Sequence, residues 1–194
     1  MSLYTAVHVQ SDQLDKIEPI LVAWLQSAHR AESVAVRQEG DGFPTRLYRD
    51  HFVNSVEDFP TLLVIGHTQP GWITIHYNSF NDMKDVASGL SRTLACLVVA
   101  AIAESVSETY CLTIYEEGEH LRTLAWSGDQ GEWLQDEGQP LPFEEHPLGV
   151  NLADEDEEPD YWFGAAEAET YCHHLGLQVW GDPYYESDWI VLGV

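Results

Sequence analysis

The feature that most restricts the fold is a β-hairpin signal near the middle of the chain. Residues 110–115 and 120–126 are rich in β-formers, and Glu117 and Gly118 between them suit a tight turn. Pairing across a two-residue turn predicts these opposite pairs on one face: Ile114 with Leu121, and Tyr110 with Ala125. The other face of the hairpin would then hold Tyr115, His120 and Arg122.

The remaining segments mix strands and helices without regular alternation. A second hairpin is indicated by two β-branched runs on either side of Gln69-Pro70-Gly71. The expected elements are a strand at 3–10, a helix at 14–28, a loop at 38–54 with a short strand around Leu47, strands at 61–66 and 71–77, a helix from 83 to before 98, a loop from Ser127 onward, a helix at 161–175 and a strand at 188–192. This pattern predicts an α+β fold, with a mainly antiparallel sheet and about three helices packed on it.

Local signals refine two of these helices. Pro19 either kinks the first helix or lies in the first turn of a helix that begins there. Ser79 and Asp82 have the spacing of a cap for the second helix. Segments 7–11 and 75–79 both end a predicted strand before a predicted helix, and this similarity is compatible with a duplicated strand-helix unit.

Length and composition indicate one folded domain over residues 1–194. Apolar residues make up 44% of the chain, enough to form a core without disulfides. The three cysteines, Cys96, Cys111 and Cys172, lack the spacing of a disulfide framework, so we expect thiols in a cytoplasmic protein. The longest apolar run, 94–103, is too short to span a membrane.

Charge is the most unusual property of the sequence. The chain has 33 acidic and 8 basic residues, for a net charge of −25. Residues 1–100 contain 11 acids and 7 bases, whereas residues 101–194 contain 22 acids and Arg122 as the one base. Such a chain is repelled by nucleic acid and by anionic membranes, so neither is an expected partner. The excess is explained either by a solubilising surface or by a docking face for a basic protein.

We interpret the chain as a non-enzymatic interaction module that inhibits or neutralises a basic protein. An acidic loop around 153–160 is the expected contact region, together with two aromatic side chains that follow it. The candidate partner-binding residues are Asp154, Glu155, Asp156, Glu157, Glu158, Tyr161 and Trp162.

Two alternatives stay open at this point. The chain could be an enzyme or a small-molecule binder with a pocket lined by these residues: His120, Arg122, His173 and His174. It could also be a structural subunit of a homo-oligomer. We expect no metal and no cofactor, because Glu169 and His173 lack an accompanying metal motif and no phosphate-binding loop is present.

Overall fold

Nine antiparallel strands form one sheet, and three helices pack on it in the part of the chain that the structure describes. The computed structural model describes residues 3–41, 43–44, 59–81, 83–145, 148–153, 160–179 and 188–194. The helices are α1 (Leu14–His29), α2 (Lys84–Leu94) and α3 (Ala165–His174). The strands are β1 (Leu3–Val9), β2 (Ala35–Asp41), β3 (Leu62–Gln69), β4 (Trp72–Tyr77), β5 (Leu97–Glu104), β6 (Thr109–Glu116), β7 (Glu119–Ser127), β8 (Glu132–Gly138), β9 (Val150–Asn151), β10 (Tyr161–Trp162) and β11 (Asp188–Gly193).

The sheet confirms the predicted α+β class. Its strand order is β2-β11-β3-β4-β1-β5-β6-β7-β8, and every neighbouring pair is antiparallel. The short strands β9 and β10 form a separate pair. No helix in the described ranges has the length and apolar character needed to cross a membrane. The duplicated strand-helix unit stays a prediction.

The two faces of the sheet carry different layers, because successive side chains of a strand point to opposite faces. On the first face, α1 and α2 share one apolar cluster with Val98 and Ala100 of β5. On the second face, α3 packs in a cluster that contains Val99 and Ala101 of the same strand. The continuous apolar run of β5 is therefore explained by burial on both faces.

Helices α1 and α2 begin and end close to the predicted positions. Helix α1 runs through Pro19 as one element and buries Ile17, Leu21 and Leu25 at helical spacing. The predicted cap of α2 is wrong, since this helix begins at Lys84 and the Ser79 hydroxyl accepts a hydrogen bond from the Asn81 N–H instead.

Two predicted loops are partly strand. Residues 38–41 continue β2, while Leu47 lies outside the described residues. Residues 132–138, expected in a loop, form the edge strand β8, which is mostly exposed and contains three acidic residues. An exposed acidic strand lacks the β-branched alternation by which strands are recognised, and its charges discourage pairing with other chains. The predicted helix at 161–175 begins only at Ala165, because Tyr161 and Trp162 pair with β9.

The central hairpin is confirmed, but its predicted register is wrong. A β-bulge between Ile114 and Tyr115 shifts the pairing, so Ile114 lies opposite Arg122 and Tyr110 lies opposite Trp126. Arg122 therefore shares a face with Ile114 and the α3 layer. His120 pairs with Tyr115 on the face that carries α1 and α2, as predicted. Arg122, which was predicted to share this face, lies on the opposite one.

Candidate functional site

Residues 97–179, which we call the acidic half, include the strands β5 to β8 at one end of the large sheet. They supply β5 to β8, β9, β10 and α3, and they contain 19 acidic residues and one basic residue. Eleven of the described acidic residues in this half are exposed, and they are Glu108, Glu116, Glu117, Glu119, Asp129, Glu132, Asp136, Glu137, Glu145, Asp160 and Glu169. The N-terminal half, residues 1–96, has 11 acidic and 7 basic residues.

The one basic residue of the acidic half is buried. The side chain of Arg122 is 2% exposed, and that of its partner Glu144 is fully buried. Arg122 Nε donates to Glu144 Oε1 at 2.9 Å, and Nη2 donates to Glu144 Oε2 at 3.0 Å. This two-point pairing is the strong geometry for guanidinium and carboxylate. Arg122 Nη1 also donates to the Glu137 carbonyl at 2.9 Å and lies 2.5 Å from Asp136 Oδ1.

Glu144 has two further partners, which complete a buried polar network. The Leu141 N–H donates to Glu144 Oε1 at 2.8 Å, and the Tyr171 hydroxyl of α3 donates to the same oxygen. Burial acts to raise the pKa of Glu144, but the hydrogen bonds from Arg122, Leu141 and Tyr171 outweigh it and the pKa is lowered. Burial and the Glu144 carboxylate together raise the pKa of Tyr171. Glu144 is therefore ionised and Tyr171 is a neutral donor.

Burial of Arg122 in this network affects the balance of charge on the surrounding surface. Because Arg122 is buried and paired with Glu144 and Asp136, the other described exposed carboxylates of the acidic half have no basic side chain from within that half. Two described cations of α2 border this half: Lys84, whose Nζ lies 3.5 Å from Gln135 Oε1 on β8, and Arg92, whose side chain packs against Gly118 of the hairpin turn. The surface of the acidic half can therefore attract cations over a range set by the ionic strength.

Of the predicted partner-binding residues, Tyr161 and Trp162 lie within the described part of the chain, and their role stays a prediction. Residues 154–158 lie outside the described residues. Tyr161 and Trp162 are half-buried rather than projecting freely, and Trp162 contacts the ring of Trp126 at a centroid distance of 6.2 Å. Only part of each of these two aromatic side chains can reach a partner.

The four residues of the predicted pocket do not line one cavity. His120 lies on the first face, where its Nε2 is 2.8 Å from Thr123 Oγ1, whereas Arg122 is buried on the second face. His173 is exposed on α3. His174 stacks on Phe143 at 4.7 Å, and Phe143 contacts Tyr171, so His174 alone of the three histidines reaches the Arg122 network.

A second buried polar cluster was not predicted from the sequence, and it lies in the N-terminal half. His8 Nδ1 is 2.8 Å from Thr74 Oγ1, which is 2.7 Å from Thr68 Oγ1, and His8 Nε2 is 3.0 Å from the Tyr4 hydroxyl. Burial and the neighbouring His76 lower the pKa of His8 to about 3, and burial lowers that of His76 to about 4. Both imidazoles are therefore neutral at pH 7.

The two buried polar clusters lie in the same cross-strand row of the sheet. Thr74 is opposite His8, His8 opposite Val99, Val99 opposite Ile114, and Ile114 opposite Arg122. The row continues to Gly66, which is opposite Thr74. A Cβ at this position would stand 2.6 Å from the ring of Trp189, so only glycine lets the ring pack here. The sequence signal for the histidines is their place within alternating apolar runs, which is also typical of exposed strand positions.

Neither cluster resembles a metal centre in its composition. In the described part of the chain, no group of three or more His, Cys, Asp or Glu side chains could hold a metal ion. Glu169 and His173 are both exposed on α3, and Cys172 is buried with its pKa raised to about 12 by burial and the Glu169 charge. Comparison with protein-family models, with curated proteins and with solved structures finds no match to this chain.

Proposed function

We propose that this chain is a non-catalytic interaction module whose acidic half docks a basic protein and thereby inhibits or neutralises it. The observation that carries the proposal is the burial of Arg122, because it leaves the described exposed carboxylates of that half, apart from Asp136, without a basic side chain from the same half. A solubilising surface needs no such separation of charge between two halves of one sheet.

Like charge on one surface favours a hetero-partner over self-association. Two copies that met through the acidic half would bring exposed carboxylates together, and the repulsion would weaken the contact. A basic protein replaces that repulsion with attraction and is steered toward the surface during diffusion. The carboxylates then set the association rate, while the apolar contacts made after docking set the dissociation rate.

The test compares two variants that change the net charge equally. One variant carries Glu119→Gln, Glu132→Gln and Glu137→Gln in the acidic half. The matched control carries Asp12→Asn, Asp15→Asn and Glu32→Gln in the N-terminal half. All six side chains are exposed, so both variants should keep the fold. Wild type and both variants are immobilised and used to capture proteins from a native lysate at low and at high salt.

We expect wild type and the control to retain the same basic proteins at low salt, and the variant in the acidic half to lose them. High salt should release them in every case, because the interacting charges are exposed. Equal capture by both variants would contradict the proposal, since net charge and not the acidic half would then determine binding. Neutralising residues 154–158 should also weaken capture, and this stays a prediction of the sequence.

A further inference from the structure

An open groove lies on the first face of the acidic half, at the side of the layer formed by α1 and α2. Its floor is a row of side chains from three neighbouring strands, in which Ile102 is opposite Cys111 and Cys111 is opposite Ala125. On β5, Val98 and Ala100 are buried in the cluster shared with α1 and α2, whereas Ile102 borders the groove. The groove encloses about 630 Å³, within the size range of ligand-binding clefts.

Two exposed apolar side chains border this groove. Phe80, which precedes α2, is 40% exposed, and Leu134 of β8 is 46% exposed. Large apolar side chains gathered around an apolar floor form a contiguous patch, unlike the scattered exposed residues that need no explanation. Such a patch supplies the apolar contact area that an electrostatic surface lacks.

Carboxylates flank the floor of the groove at both ends of β8. The register places Gln135 opposite Ala125, Glu137 opposite Thr123 and Glu132 opposite Ser127, so these three β8 residues are on the face of the groove. Glu132 and Glu137 are exposed and can pair with an incoming cation.

Two other charged groups lie at the groove. Glu104 also lines it, but its carboxylate already accepts hydrogen bonds from the N–H groups of Val106 and Ser107 at 2.9 and 2.7 Å. Lys84 approaches from α2, beside Gln135. With Lys84 included, negative charge is in excess around the groove, and an acidic ligand is disfavoured.

We propose that this groove binds an amphipathic basic segment of the protein partner. Apolar side chains of that segment pack on the floor between Phe80 and Leu134, and its Lys or Arg side chains pair with Glu132 and Glu137. The inference rests on the proposed function and adds to it the place and the chemistry of the contact. Charge complementarity selects this occupant, because the apolar floor and the flanking carboxylates match the two sides of such a segment.

The probe is a short synthetic peptide that alternates lysine and leucine. One comparison peptide alternates lysine and serine, and another alternates glutamate and leucine. We expect the lysine-leucine peptide to bind, the lysine-serine peptide to bind about tenfold or more weakly, and the glutamate-leucine peptide not to bind. The bound lysine-leucine peptide should also slow alkylation of Cys111, which lines the groove, without changing that of buried Cys172.

The variants separate the groove from the charge around it. Phe80→Ser with Leu134→Ser removes the apolar border, and we expect about tenfold weaker binding of the lysine-leucine peptide. The matched control is Val36→Ser on the opposite edge strand β2, where the side chain is 46% exposed, as it is at Leu134; this variant should bind as wild type does. These side chains are surface groups, and a thermal melt of each variant verifies its fold.

Each result decides one of the two proposals. Weaker binding after Phe80→Ser with Leu134→Ser, together with protection of Cys111, supports the groove. If Glu132→Gln with Glu137→Gln weakens binding but Phe80→Ser with Leu134→Ser does not, the groove is refuted while the acidic docking surface stands. If neither pair of substitutions weakens binding, both proposals are overturned.

Discussion

The two halves of the sheet bury polar side chains in different charge states, although His8 and Arg122 lie in the same cross-strand row. In the N-terminal half, His8 and His76 are buried as neutral imidazoles, and His8 lies beside the hydroxyl groups of Thr74 and Tyr4. In the acidic half, Arg122 and Glu144 are buried as an ion pair. The half that is richest in carboxylates places its one basic side chain inside, where it compensates the charge of buried Glu144. The exposed charges that this half supplies are therefore carboxylates.

The largest expected effect comes from breaking the ion pair. Arg122→Met removes the cation that compensates buried Glu144, and we expect the free energy of unfolding to fall by about 3–5 kcal/mol. Urea unfolding measures the loss. The matched control, Arg92→Met at an exposed position of α2, should change stability by less than about 0.5 kcal/mol.

A second substitution sharpens this result. Adding Glu144→Leu to Arg122→Met removes the uncompensated carboxylate, so part of the lost stability should return. A loss below about 1 kcal/mol for Arg122→Met alone would contradict the buried network.

The second expected effect tests the neutral cluster by pH. The folded protein holds His8 and His76 neutral, whereas both take up a proton in the unfolded chain near pH 6.5. Their contribution to stability is therefore complete above that pH and is lost as the pH falls toward 4. Between pH 8 and pH 5, the titration of each of these two histidines should lower the free energy of unfolding by about 2 kcal/mol.

The variant His8→Gln isolates one of these titrations. It should reduce the loss of stability between pH 8 and pH 5 by about 2 kcal/mol, measured by urea unfolding at each pH. Tyr4→Phe serves as its control, because it removes the hydroxyl next to His8 Nε2 but keeps the imidazole. An unchanged pH dependence in His8→Gln would show that the buried imidazole is not the group that titrates.

The smallest expected effect concerns the surface charges of the two halves. Raising the salt concentration to about 0.5 M shortens the screening length below about 5 Å, so repulsion among exposed carboxylates falls and the melting temperature should rise. Salt should therefore stabilise the triple variant of the acidic half less than the triple variant of the N-terminal half. The difference in the free energy of unfolding should be a few tenths of a kcal/mol per site. Equal behaviour of the two variants would remove the distinction between the halves.

The fold was largely predictable because its main signals are local. The hairpin turn is a clear case, since Glu117 and Gly118 both have positive φ, as a tight two-residue turn requires. Helix α1 was equally plain, because its buried residues recur at helical spacing. Strand β8 was missed, since an edge strand with exposed acidic side chains has the composition of a loop.

The candidate site was far less predictable, because it depends on relations between distant strands. The bulge at Ile114 and Tyr115 places Arg122 on the second face, and no residue type near the hairpin turn predicts this bulge. The pairing with Glu144 needs a segment 22 residues away. His8 and Thr74 meet only because β1 and β4 are neighbours in the sheet, although they are separated by 66 residues.

The most direct test of the docking surface is the association rate of a purified basic protein captured by wild type, measured by stopped flow at low and at high salt. We expect the triple variant Glu119→Gln, Glu132→Gln and Glu137→Gln to associate about tenfold more slowly at low salt, with a weaker salt dependence. The control Asp12→Asn, Asp15→Asn and Glu32→Gln should retain nearly the wild-type rate. An association rate that is the same for all three proteins and insensitive to salt would contradict the account.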